Sequence, residues 1–500
     1  NSDDFLYAYF GILLARGVPA PIAPIRRLKT DDYYLANVAR RLQFIHARIL
    51  IVPEEQAHVG EIAPLSHVED LTILTRREVP AASRPLAPDG SSDDLGLFQF
   101  TSGTSGNAKA VQLTHAALLN QAKNISLTLA VDAIEDSGLS WLPLFHDMGL
   151  IGFLLTPAFC AMNTSLLRTE DFMMRPSSWI QALSDLRISI TGGPPSAYAL
   201  CARHLKDSEI PQYNLRHLRI ALVGAEVISP GGLQQFADRL QPAGFRAKSL
   251  LPAYGLAENG LSVTMTALEQ GLEFDTVDLE AMQTKGIAQA ALHSSSNGTT
   301  RAVVSVGTPL PQSEVAIVNE AGEPLGERQV GEILVRSPSL MLGYYGQSEA
   351  SQQALRNGWL WTGDLGYIVD KKLHVTGRKK EILIVGGNNY YPDDLEQVVV
   401  AVSGVRPGCA VAIACEDAAR ATEAVVVLVE TTISGQVERD ALRLRIRQAL
   451  IQAGYSISEV VLLRPKTIQT TLNGKLKRVE CKARYLRGEF SHDNETSKSG

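Results

Sequence analysis

The sequence predicts an α/β protein with a large N-terminal domain and a small α+β C-terminal domain. Its 500 residues allow two to four domains at roughly 150 residues each. Short β-rich runs alternate with helical stretches up to about Asp370, which is typical of parallel sheets with helices packed on their faces. Beyond this point the chain becomes basic and strand-like. We therefore predict a large domain at 1–370, a small domain at 371–487 and a disordered polar tail at 488–500.

The predicted strands are short apolar runs rich in β-branched residues, and the predicted helices are longer runs. The apolar run from Phe5 to Leu14 predicts a first helix, which Gly17 and the following prolines end. Further strands are predicted at 49–52, 71–74, 95–100, 139–142, 220–223 and 302–306, and helices at 115–129 and 177–186. In the C-terminal region, 424–430 and 460–463 are predicted strands and 439–453 is a predicted amphipathic helix.

Composition and charge exclude several classes of protein. The net charge of -6 argues against a general nucleic-acid binder, which usually has a basic excess. The five cysteines are far apart, so neither a zinc site nor a disulfide framework is expected. The longest apolar stretch, 149–162, is shorter than the roughly 20 residues that a membrane span needs. Since residues 1–4 do not begin a signal peptide, the sequence predicts a cytoplasmic protein without a membrane span.

A segment rich in hydroxyls and glycines follows the predicted strand at 95–100. Glycines let backbone N–H groups approach an anion, while hydroxyls add donors and a lysine adds charge, so the segment is a candidate phosphate cradle. Its composition is equally compatible with a flexible Ser/Gly turn. It is not a Walker A motif, and the chain contains neither GxGxxG nor GxSxG. The residues are Thr101, Ser102, Gly103, Thr104, Ser105, Gly106, Asn107, Ala108 and Lys109.

A His-Asp pair, His146 and Asp147, lies between two apolar segments. Unpaired polar groups in such surroundings are costly, so both side chains need partners. From this segment alone, a core histidine with satisfied hydrogen bonds is favoured over a functional one.

Four further segments combine tight turns with charged side chains. Glu258 could hold Mg²⁺ beside phosphates, and Asp364, at a predicted strand end, could accept hydrogen bonds from ribose hydroxyls. Arg378 and Lys475 supply positive charge. Taken singly, each segment is more typical of an ordinary surface turn. The segments are Tyr254-Gly255-Leu256-Ala257-Glu258, Thr362-Gly363-Asp364, Gly377-Arg378-Lys379-Lys380-Glu381 and Asn473-Gly474-Lys475.

Taken in this order, the segments resemble those of the adenylate-forming superfamily, which comprises acyl-CoA synthetases, luciferases and peptide-synthetase adenylation domains. The resemblance runs from Asp4 to Arg478. Within the superfamily the sequence is most similar to fatty acyl-AMP ligases. The residues that carry this closer match are 140–152, Val223-Gly224-Ala225-Glu226 and Val304-Ser305-Val306-Gly307-Thr308-Pro309-Leu310-Pro311.

The resemblance implies an enzyme that catalyses two half-reactions. A carboxylate attacks the α-phosphate of ATP to give acyl-AMP and pyrophosphate, and a thiol then attacks the acyl-AMP and releases AMP. The implied cofactors are ATP and Mg²⁺. The implied acceptor is phosphopantetheine, on an acyl carrier protein or as CoA, and the implied substrate is a fatty or related apolar acid.

The resemblance also assigns roles to individual residues. Lys475 would bridge the carboxylate and the α-phosphate, and His146 would line the acyl pocket near the reacting carboxylate. Glu258 would bind Mg²⁺. Asp364, with Arg378 close by, would hold the ribose hydroxyls. The other ATP- and AMP-binding residues would be Thr101 to Lys109, Gly224, Ala225, Glu226, Gly255, Leu256 and Ala257, with Tyr254 stacked near adenine.

The resemblance further implies that the small domain moves. Similar enzymes rotate this domain between half-reactions, so that one lysine serves the first step and then withdraws. The hinge falls at the position of Lys380. Gly386 and Gly387 would then approach the tunnel through which the thiol enters.

One departure from fatty acyl-AMP ligases leaves the acceptor open. Those ligases usually carry an insertion before the Thr-Gly-Asp segment, which is thought to restrain the small domain and disfavour CoA. Here only the residues between Tyr345 and Trp361 are available, and the insertion is absent. The leading expectation is transfer to a carrier protein. The alternatives are an acyl-CoA ligase and a non-adenylating binding partner with the same fold, and the intact charged residues of the four segments argue against the latter.

Overall fold

Helices and strands alternate along the described chain in a computed structural model. The structure describes residues 1–24, 32–61, 64–79, 90–101, 109–291, 299–385, 388–417, 422–469 and 476–490. The α-helices in these ranges are α1 (Asp3–Leu14), α2 (Asp32–Phe44), α3 (His115–Thr128), α4 (Thr156–Cys160), α5 (Thr169–Met174), α6 (Ser177–Asp185), α7 (Pro195–His204), α8 (Pro230–Leu240), α9 (Leu279–Lys285), α10 (Ser348–Ala354), α11 (Pro392–Val400), α12 (Gln436–Gln452) and α13 (Arg478–Leu486). The β-strands are β1 (Ile49–Val52), β2 (Thr72–Thr75), β3 (Leu95–Thr101), β4 (Lys109–Thr114), β5 (Ser137–Ser140), β6 (Asn163–Leu166), β7 (Ile190–Gly193), β8 (Ile220–Val223), β9 (Leu250–Gly255), β10 (Ser262–Met265), β11 (Phe274–Asp278), β12 (Thr300–Val304), β13 (Thr308–Pro309), β14 (Glu314–Val318), β15 (Gly331–Arg336), β16 (Gly343–Tyr344), β17 (Leu355–Arg356), β18 (Trp359–Val369), β19 (Lys372–Arg378), β20 (Leu383–Val385), β21 (Asn388–Tyr390), β22 (Ala410–Asp417), β23 (Thr422–Glu430) and β24 (Glu459–Leu463).

The largest sheet among the described residues has seven strands in the order β13-β10-β9-β8-β7-β5-β6. Strands β6, β5, β7, β8 and β9 run parallel, whereas β10 and β13 are antiparallel edge strands. Every residue of β7 and β8 is buried, as expected for central parallel strands that are covered on both faces. Helices α6, α7 and α8 contribute the large side chains Trp179, Tyr198 and Phe236 to this core. The loops at the carboxyl edge of the sheet therefore start from a fully packed framework.

The remaining sheets of the large domain are mainly antiparallel, which differs from the prediction of parallel sheets. Strand β4 pairs with β3 and β16, and β18 pairs with β15 and β19. The turn from β18 to β19 places Asp370 and Lys371 at φ values of 51° and 63°, as two-residue hairpins require. Strand composition does not reveal pairing direction, because a tight turn forces antiparallel pairing whatever the strands contain.

The C-terminal unit, which we define as β20 to Phe490, has cores on both faces of its sheet. Strand β23 pairs antiparallel with β22 and parallel with β24. Side chains of β22 alternate between the two cores: Ala412 lies in a cluster with Leu442 of α12, and Ile413 lies in a cluster with Cys481 of α13. This arrangement is the α+β unit that the sequence predicts.

Two contacts lie close to the predicted ends of the small domain, whose bounds stay a prediction. Strand β19 lies beyond the predicted boundary at 370, yet it pairs with β18 of the large domain as far as Arg378. At the other end, Phe490 is 3% exposed and packs in the core with Cys481, so the folded chain extends past the predicted tail start at 488. Residues 491–500 lie outside the described residues. At both ends, a contact with another segment determines where the folded region stops: strand pairing for β19 and core packing for Phe490. Local composition does not show such contacts.

Most predicted elements are present with bounds shifted by a few residues. Helix α2 was not predicted, although buried Leu35, Val38, Ala39 and Leu42 follow helical spacing that could have revealed it. The apolar stretch 149–162 forms a π-helix, Met148–Leu155, followed by α4. None of the helices in the described ranges is long and apolar enough to cross a membrane.

Candidate active site

The predicted site residues that the structure describes line one cleft of about 1880 Å³. Several of them directly follow parallel strands: the segment after β8 begins at Gly224, and Tyr254 and Gly255 end β9. Ligands of open α/β sheets bind at this carboxyl edge. The sequence-predicted residues that line the cleft are Thr101, Lys109, His146, Gly224, Ala225, Glu226, Tyr254, Gly255, Leu256, Ala257, Glu258, Asp364, Arg378 and Lys380.

Asp364 is the centre of one polar group in the cleft. The Tyr254 hydroxyl donates to Asp364 Oδ2 at 2.7 Å, and Arg378 Nε lies 3.2 Å from Asp364 Oδ1. The register of β18 with β19 sets Asp364 directly opposite Arg378. The Asp364 side chain is 10% exposed, and its negative charge raises the pKa of Arg378. A mostly buried carboxylate with fixed partners can offer its remaining acceptor positions to a ligand.

Gly255 explains how Tyr254 reaches Asp364. A Cβ at Gly255 would lie 1.9 Å from the carbonyl oxygen of Leu261, so only glycine permits the close approach of these two backbone segments. The turn that follows carries Glu258 in a 3₁₀ helix, Ala257–Asn259. The glycine therefore brings Tyr254 and Glu258 to the same cleft.

Glu258, Tyr344 and Lys109 form a second polar group. The Tyr344 hydroxyl donates to Glu258 Oε1 at 2.9 Å, and Lys109 Nζ lies 3.9 Å from the centre of the Tyr344 ring. Burial raises the pKa of Glu258 and lowers the pKa of Lys109, because both groups lose hydration of their charged forms. Tyr344 had no sequence signal of its own, and only the strand pairing of β16 with β4 brings it here.

Glu258 could supply the one carboxylate ligand that a nucleotide-bound Mg²⁺ needs from the protein. No group of three or more His, Cys, Asp or Glu side chains that could hold a metal occurs among the described residues. Magnesium sites in nucleotide enzymes commonly use one or two carboxylates together with substrate phosphates and water. A single partly buried carboxylate beside a lysine thus matches a metal that arrives with a phosphate group.

The Gly224-Ala225-Glu226 segment makes a tight turn at the cleft wall. Ala225 has a φ of 70°, in the left-handed region. The carboxylate of Glu226 accepts from the backbone N–H and the hydroxyl of Ser196 at 3.3 and 3.0 Å. Because Ser196 lies in the first turn of α7, the negative charge also meets the positive end of that helix.

His146 lies at the cleft with a 24% exposed side chain. Its Nδ1 lies 2.6 Å from Asp147 Oδ1, to which it can donate, and Asp147 Oδ1 also accepts from the N–H of Met148 at 2.7 Å. One ring nitrogen of His146 therefore has a side-chain partner, and the residue lines the cleft, whereas the core interpretation placed it in the core. Apolar side chains nearby in the cleft lining include Phe153, Leu222 and Met265.

Arg478 is a further cleft residue that sequence reasoning missed as a site residue. It is the first residue of α13 and bonds three carboxylates, those of Glu381, Asp393 and Glu396. Three carboxylates face one guanidinium, and burial raises the pKa of Glu396 to about 7. Sequence spacing gives no sign of this cluster, because its members lie in three separate elements.

Several predicted site residues lie outside the described residues. These are the cradle residues Ser102, Gly103, Thr104, Ser105 and Gly106, the tunnel residues Gly386 and Gly387, and the proposed catalytic Lys475. Their roles stay predictions.

A family model for AMP-binding enzymes matches residues 1–345, more than half of the chain. The chain belongs to the AMP-binding enzyme family. The predicted superfamily is thereby confirmed.

Individual relatives extend the likeness over nearly the whole chain. A putative acyl-CoA synthetase of Caulobacter vibrioides is 33% identical over 498 residues, which cover 98% of this chain and 85% of the relative. The medium-chain-fatty-acid–acyl-carrier-protein ligase JamA of Moorena producens is 29% identical over 525 residues, which cover 99% and 87%. A solved structure from a study of fatty acyl-adenylate ligases of E. coli and L. pneumophila matches with a TM-score of 0.89 and 32% identity, covering 98% of this chain and 87% of that one.

These likenesses confirm the predicted class of enzyme. This AMP-binding family member is an adenylate-forming, acyl-activating ligase that uses ATP. The alternative of a non-adenylating binding partner is therefore not favoured.

Proposed function

We propose that this enzyme converts a fatty or related apolar acid and ATP to acyl-AMP and pyrophosphate, and then transfers the acyl group to the phosphopantetheine thiol of an acyl carrier protein. The observation that carries the proposal is the cleft itself. It places the Asp364 group, the Glu258 group and apolar side chains such as Phe153 around one space. These surfaces suit a ribose, a triphosphate and an acyl chain respectively.

The Asp364 group supports the nucleotide end of the site. Asp364 would accept from the ribose hydroxyls while Arg378 and Tyr254 hold its carboxylate in place. The ring of Tyr254 is anchored by its hydroxyl to Asp364 and lines the cleft, which suits a surface on which adenine stacks. The segments 224–226 and 255–257 would complete the nucleotide pocket.

In this proposal, positively charged groups stabilise the transition state of the first half-reaction. A carboxylate oxygen of the acid bonds to the α-phosphorus, and the bond from that phosphorus to pyrophosphate breaks. Both reactants are anionic, so fixed positive charge stabilises the transition state. Lys109, with the cradle 101–106, would hold the β- and γ-phosphates, and Lys475 would bridge the acid and the α-phosphate. Mg²⁺, held by Glu258, would neutralise further phosphate charge.

The second half-reaction needs a thiol and a different position of the small domain. The thiol loses its proton, its sulfur bonds to the acyl carbon, and AMP leaves with the electrons of the acyl–phosphate bond. Pairing of β19 ends at Arg378 and the core of the C-terminal unit begins at Leu383. Lys380 lies between these points, which supports a hinge there and a domain boundary close to it. Gly386 and Gly387 would then approach the thiol tunnel.

A carrier protein is the favoured acceptor. JamA, by its name, transfers medium-chain fatty acids to an acyl carrier protein, and the solved neighbour comes from work on fatty acyl-adenylate ligases. A CoA acceptor is the second candidate, because the short connection between Tyr345 and Trp361 holds α10, β17 and the start of β18 and no further element. The absent insertion leaves the small domain free to serve either thiol.

Mass spectrometry of the products tests the proposal. The enzyme would be given ATP, Mg²⁺ and a mixed library of acids, first alone and then with CoA or with a phosphopantetheinylated carrier protein. We expect acyl-AMP and pyrophosphate in the first reaction and acyl-carrier thioester in the second. No acyl-AMP with any acid would overturn adenylation, whereas acyl-CoA as the main thioester would replace the proposed acceptor.

A further inference from the structure

Tyr344 lies between two groups of opposite charge that both line the cleft. Lys109 Nζ lies over the face of the Tyr344 ring at 3.9 Å from its centre, and the hydroxyl at the far end of the ring donates to Glu258 Oε1 at 2.9 Å. No direct ion pair joins Lys109 and Glu258 in the described part of the chain. One aromatic side chain thus contacts the cation with its face and the carboxylate with its hydroxyl.

The backbone around Tyr344 fixes this arrangement. Strand β16 pairs with β4, whose first residue is Lys109. The N–H of Met341 donates to the carbonyl oxygen of Glu258 at 2.8 Å. The N–H of Tyr344 itself donates to the hydroxyl of Ser351 at 2.8 Å. Tyr344 is therefore held in register with the backbone of both neighbours.

We infer that Tyr344 is a positioning residue that keeps Lys109 and Glu258 from pairing with each other, so that the ammonium stays available for nucleotide phosphates and the carboxylate for a divalent cation. The inference rests on the proposed function, in which these two groups serve those ligands. The role of Tyr344 is to keep the two charged side chains apart, which neither of them can do for itself.

The physical reason is the cost of breaking a partly buried ion pair. A lysine and a glutamate in direct contact at this site would neutralise each other, and the incoming phosphates and cation would have to separate them. A cation over an aromatic face is held more weakly, and the neutral ring does not neutralise its charge. The phenol hydroxyl occupies one position on the carboxylate, which has about four, so acceptor positions remain for a metal.

Two substitutions at Tyr344 separate its ring from its hydroxyl. Tyr344→Phe keeps the ring between the charges and removes only the hydrogen bond to Glu258. Tyr344→Leu removes the aromatic face, so Lys109 is free to move onto Glu258. The first change should affect the divalent cation alone, and the second should affect both the cation and the nucleotide.

Calorimetric titration with a non-cleavable ATP analogue, with no acid present, measures both effects. Affinity is measured in EDTA and again at saturating Mg²⁺. For Tyr344→Phe we expect near wild-type affinity in EDTA and a Mg²⁺-dependent gain that is reduced about tenfold. For Tyr344→Leu we expect the affinity in EDTA to fall about tenfold as well. Melting temperatures of all variants show whether they are folded.

A double variant and a matched control make the test specific. In Tyr344→Leu with Glu258→Gln, Lys109 has no carboxylate to pair with, so affinity in EDTA should return toward wild type. Tyr367→Phe removes a similar buried hydrogen bond, from the Tyr367 hydroxyl to Asp275 Oδ2 at 3.0 Å, and should leave both affinities unchanged.

The outcomes distinguish this inference from the proposed function. Wild-type protein that binds no ATP analogue, with or without Mg²⁺, would overturn the proposed function. Wild-type binding with unchanged affinities in both Tyr344 variants would overturn the spacer role alone. Failure of Glu258→Gln to restore the affinity of folded Tyr344→Leu would also overturn it, since the loss would then have another cause.

Discussion

At the residue scale, Asp364 joins side chains from three strands. Tyr254 of β9 donates to one carboxylate oxygen, and Arg378 of β19 faces the other. A carboxylate offers about four acceptor positions, so two partners leave positions for the two hydroxyls of a ribose. The fixed partners set the orientation in which those positions face the cleft.

Asp364→Ala should weaken ATP binding more than acid binding. Hydrogen bonds to a charged group contribute about 1.5–3 kcal/mol each, so we expect affinity for ATP to fall by about 10–100-fold. The affinity for the acid should change little, because the carboxylate faces the nucleotide end of the cleft. Calorimetric titration with each ligand separately measures the two changes.

Asp275→Ala is a matched control for this prediction. Asp275 Oδ2 accepts from the Tyr367 hydroxyl at 3.0 Å and from Arg328 Nη1 at 2.8 Å, a similar pair of partners, and Asp275 is not among the residues that line the cleft. Both variants should melt at a lower temperature, but only Asp364→Ala should lose affinity for ATP. Unchanged ATP affinity in folded Asp364→Ala would mean that Asp364 only stabilises its turn.

Lys475→Ala should abolish formation of acyl-AMP from acid and ATP. Loss of a charge that stabilises the transition state typically lowers the rate by about 10²–10³. Transfer from preformed acyl-AMP to the thiol should survive, because the lysine has withdrawn by that step. Single-turnover assays of each half-reaction measure this division, and an equal loss in both would contradict it.

At the scale of elements, Arg478 ties the start of α13 to α11 and to the 3₁₀ turn Lys379–Glu381. Its guanidinium contacts Glu381 Oε2 at 2.6 Å and Glu396 Oε2 at 2.7 Å, and its side chain is 17% exposed. Because Lys380 belongs to this turn, the cluster connects the proposed hinge to the helix that follows the proposed catalytic lysine. One guanidinium cannot neutralise three carboxylates, so the excess negative charge favours protonation of the most buried one.

The stability of this cluster should depend on pH. The pKa of Glu396 rises from 4.5 to about 7 because the carboxyl is buried. Between these values the folded state holds a proton that the unfolded state has lost. The stabilisation from this group is therefore complete below about pH 4.5 and is lost as the pH rises through about 7.

Glu396→Gln removes this titration and so provides the measurement. The free energy of unfolding of wild type minus that of the variant should fall between about pH 5 and about pH 8, by on the order of 3 kcal/mol. Urea unfolding of both proteins across this range gives the difference. A difference that is constant or grows with pH would show that Arg478 keeps Glu396 ionised throughout.

Local composition was sufficient to locate most elements. Strand β8 lies where the run Ile220 to Val223 predicts it, and α3 lies within one residue of its predicted end. The strand predicted at 139–142 is β5, Ser137–Ser140, because Trp141 leaves the sheet and stacks on Phe172 with ring centres 3.7 Å apart. Apolar residues mark both strands and core contacts, so such runs leave strand ends uncertain until the packing is known.

At the scale of the whole molecule, the proposed mechanism makes the choice of acceptor depend on surfaces that would meet only when the domains move. In the proposed mechanism, the short connection between Tyr345 and Trp361 would leave the small domain free to rotate, which would favour thioester formation in general. It does not by itself create a site for the phosphates of CoA, which would need converging lysine or arginine side chains. A carrier protein brings its own contact surface and so does not need that site.

We expect carrier-bound phosphopantetheine to be acylated at least about tenfold more efficiently than free CoA, which corresponds to about 1.4 kcal/mol of differential transition-state binding. The measurement is kcat/KM for both acceptors with one acid and the cognate carrier. Comparable values, or a preference for CoA, would make this enzyme an acyl-CoA ligase.

The sequence by itself determined the family, the order of the motifs and which charged residues are candidates for the chemistry, because these depend on residue type and spacing along the chain. Tertiary structure decided which of them meet. The pairing of β18 with β19 sets Arg378 against Asp364, and the pairing of β16 with β4 sets Tyr344 between Lys109 and Glu258. These contacts join segments as far apart as 235 positions in the case of Lys109 and Tyr344. Local propensity cannot specify such contacts, since strand pairing and core packing alone bring these segments together.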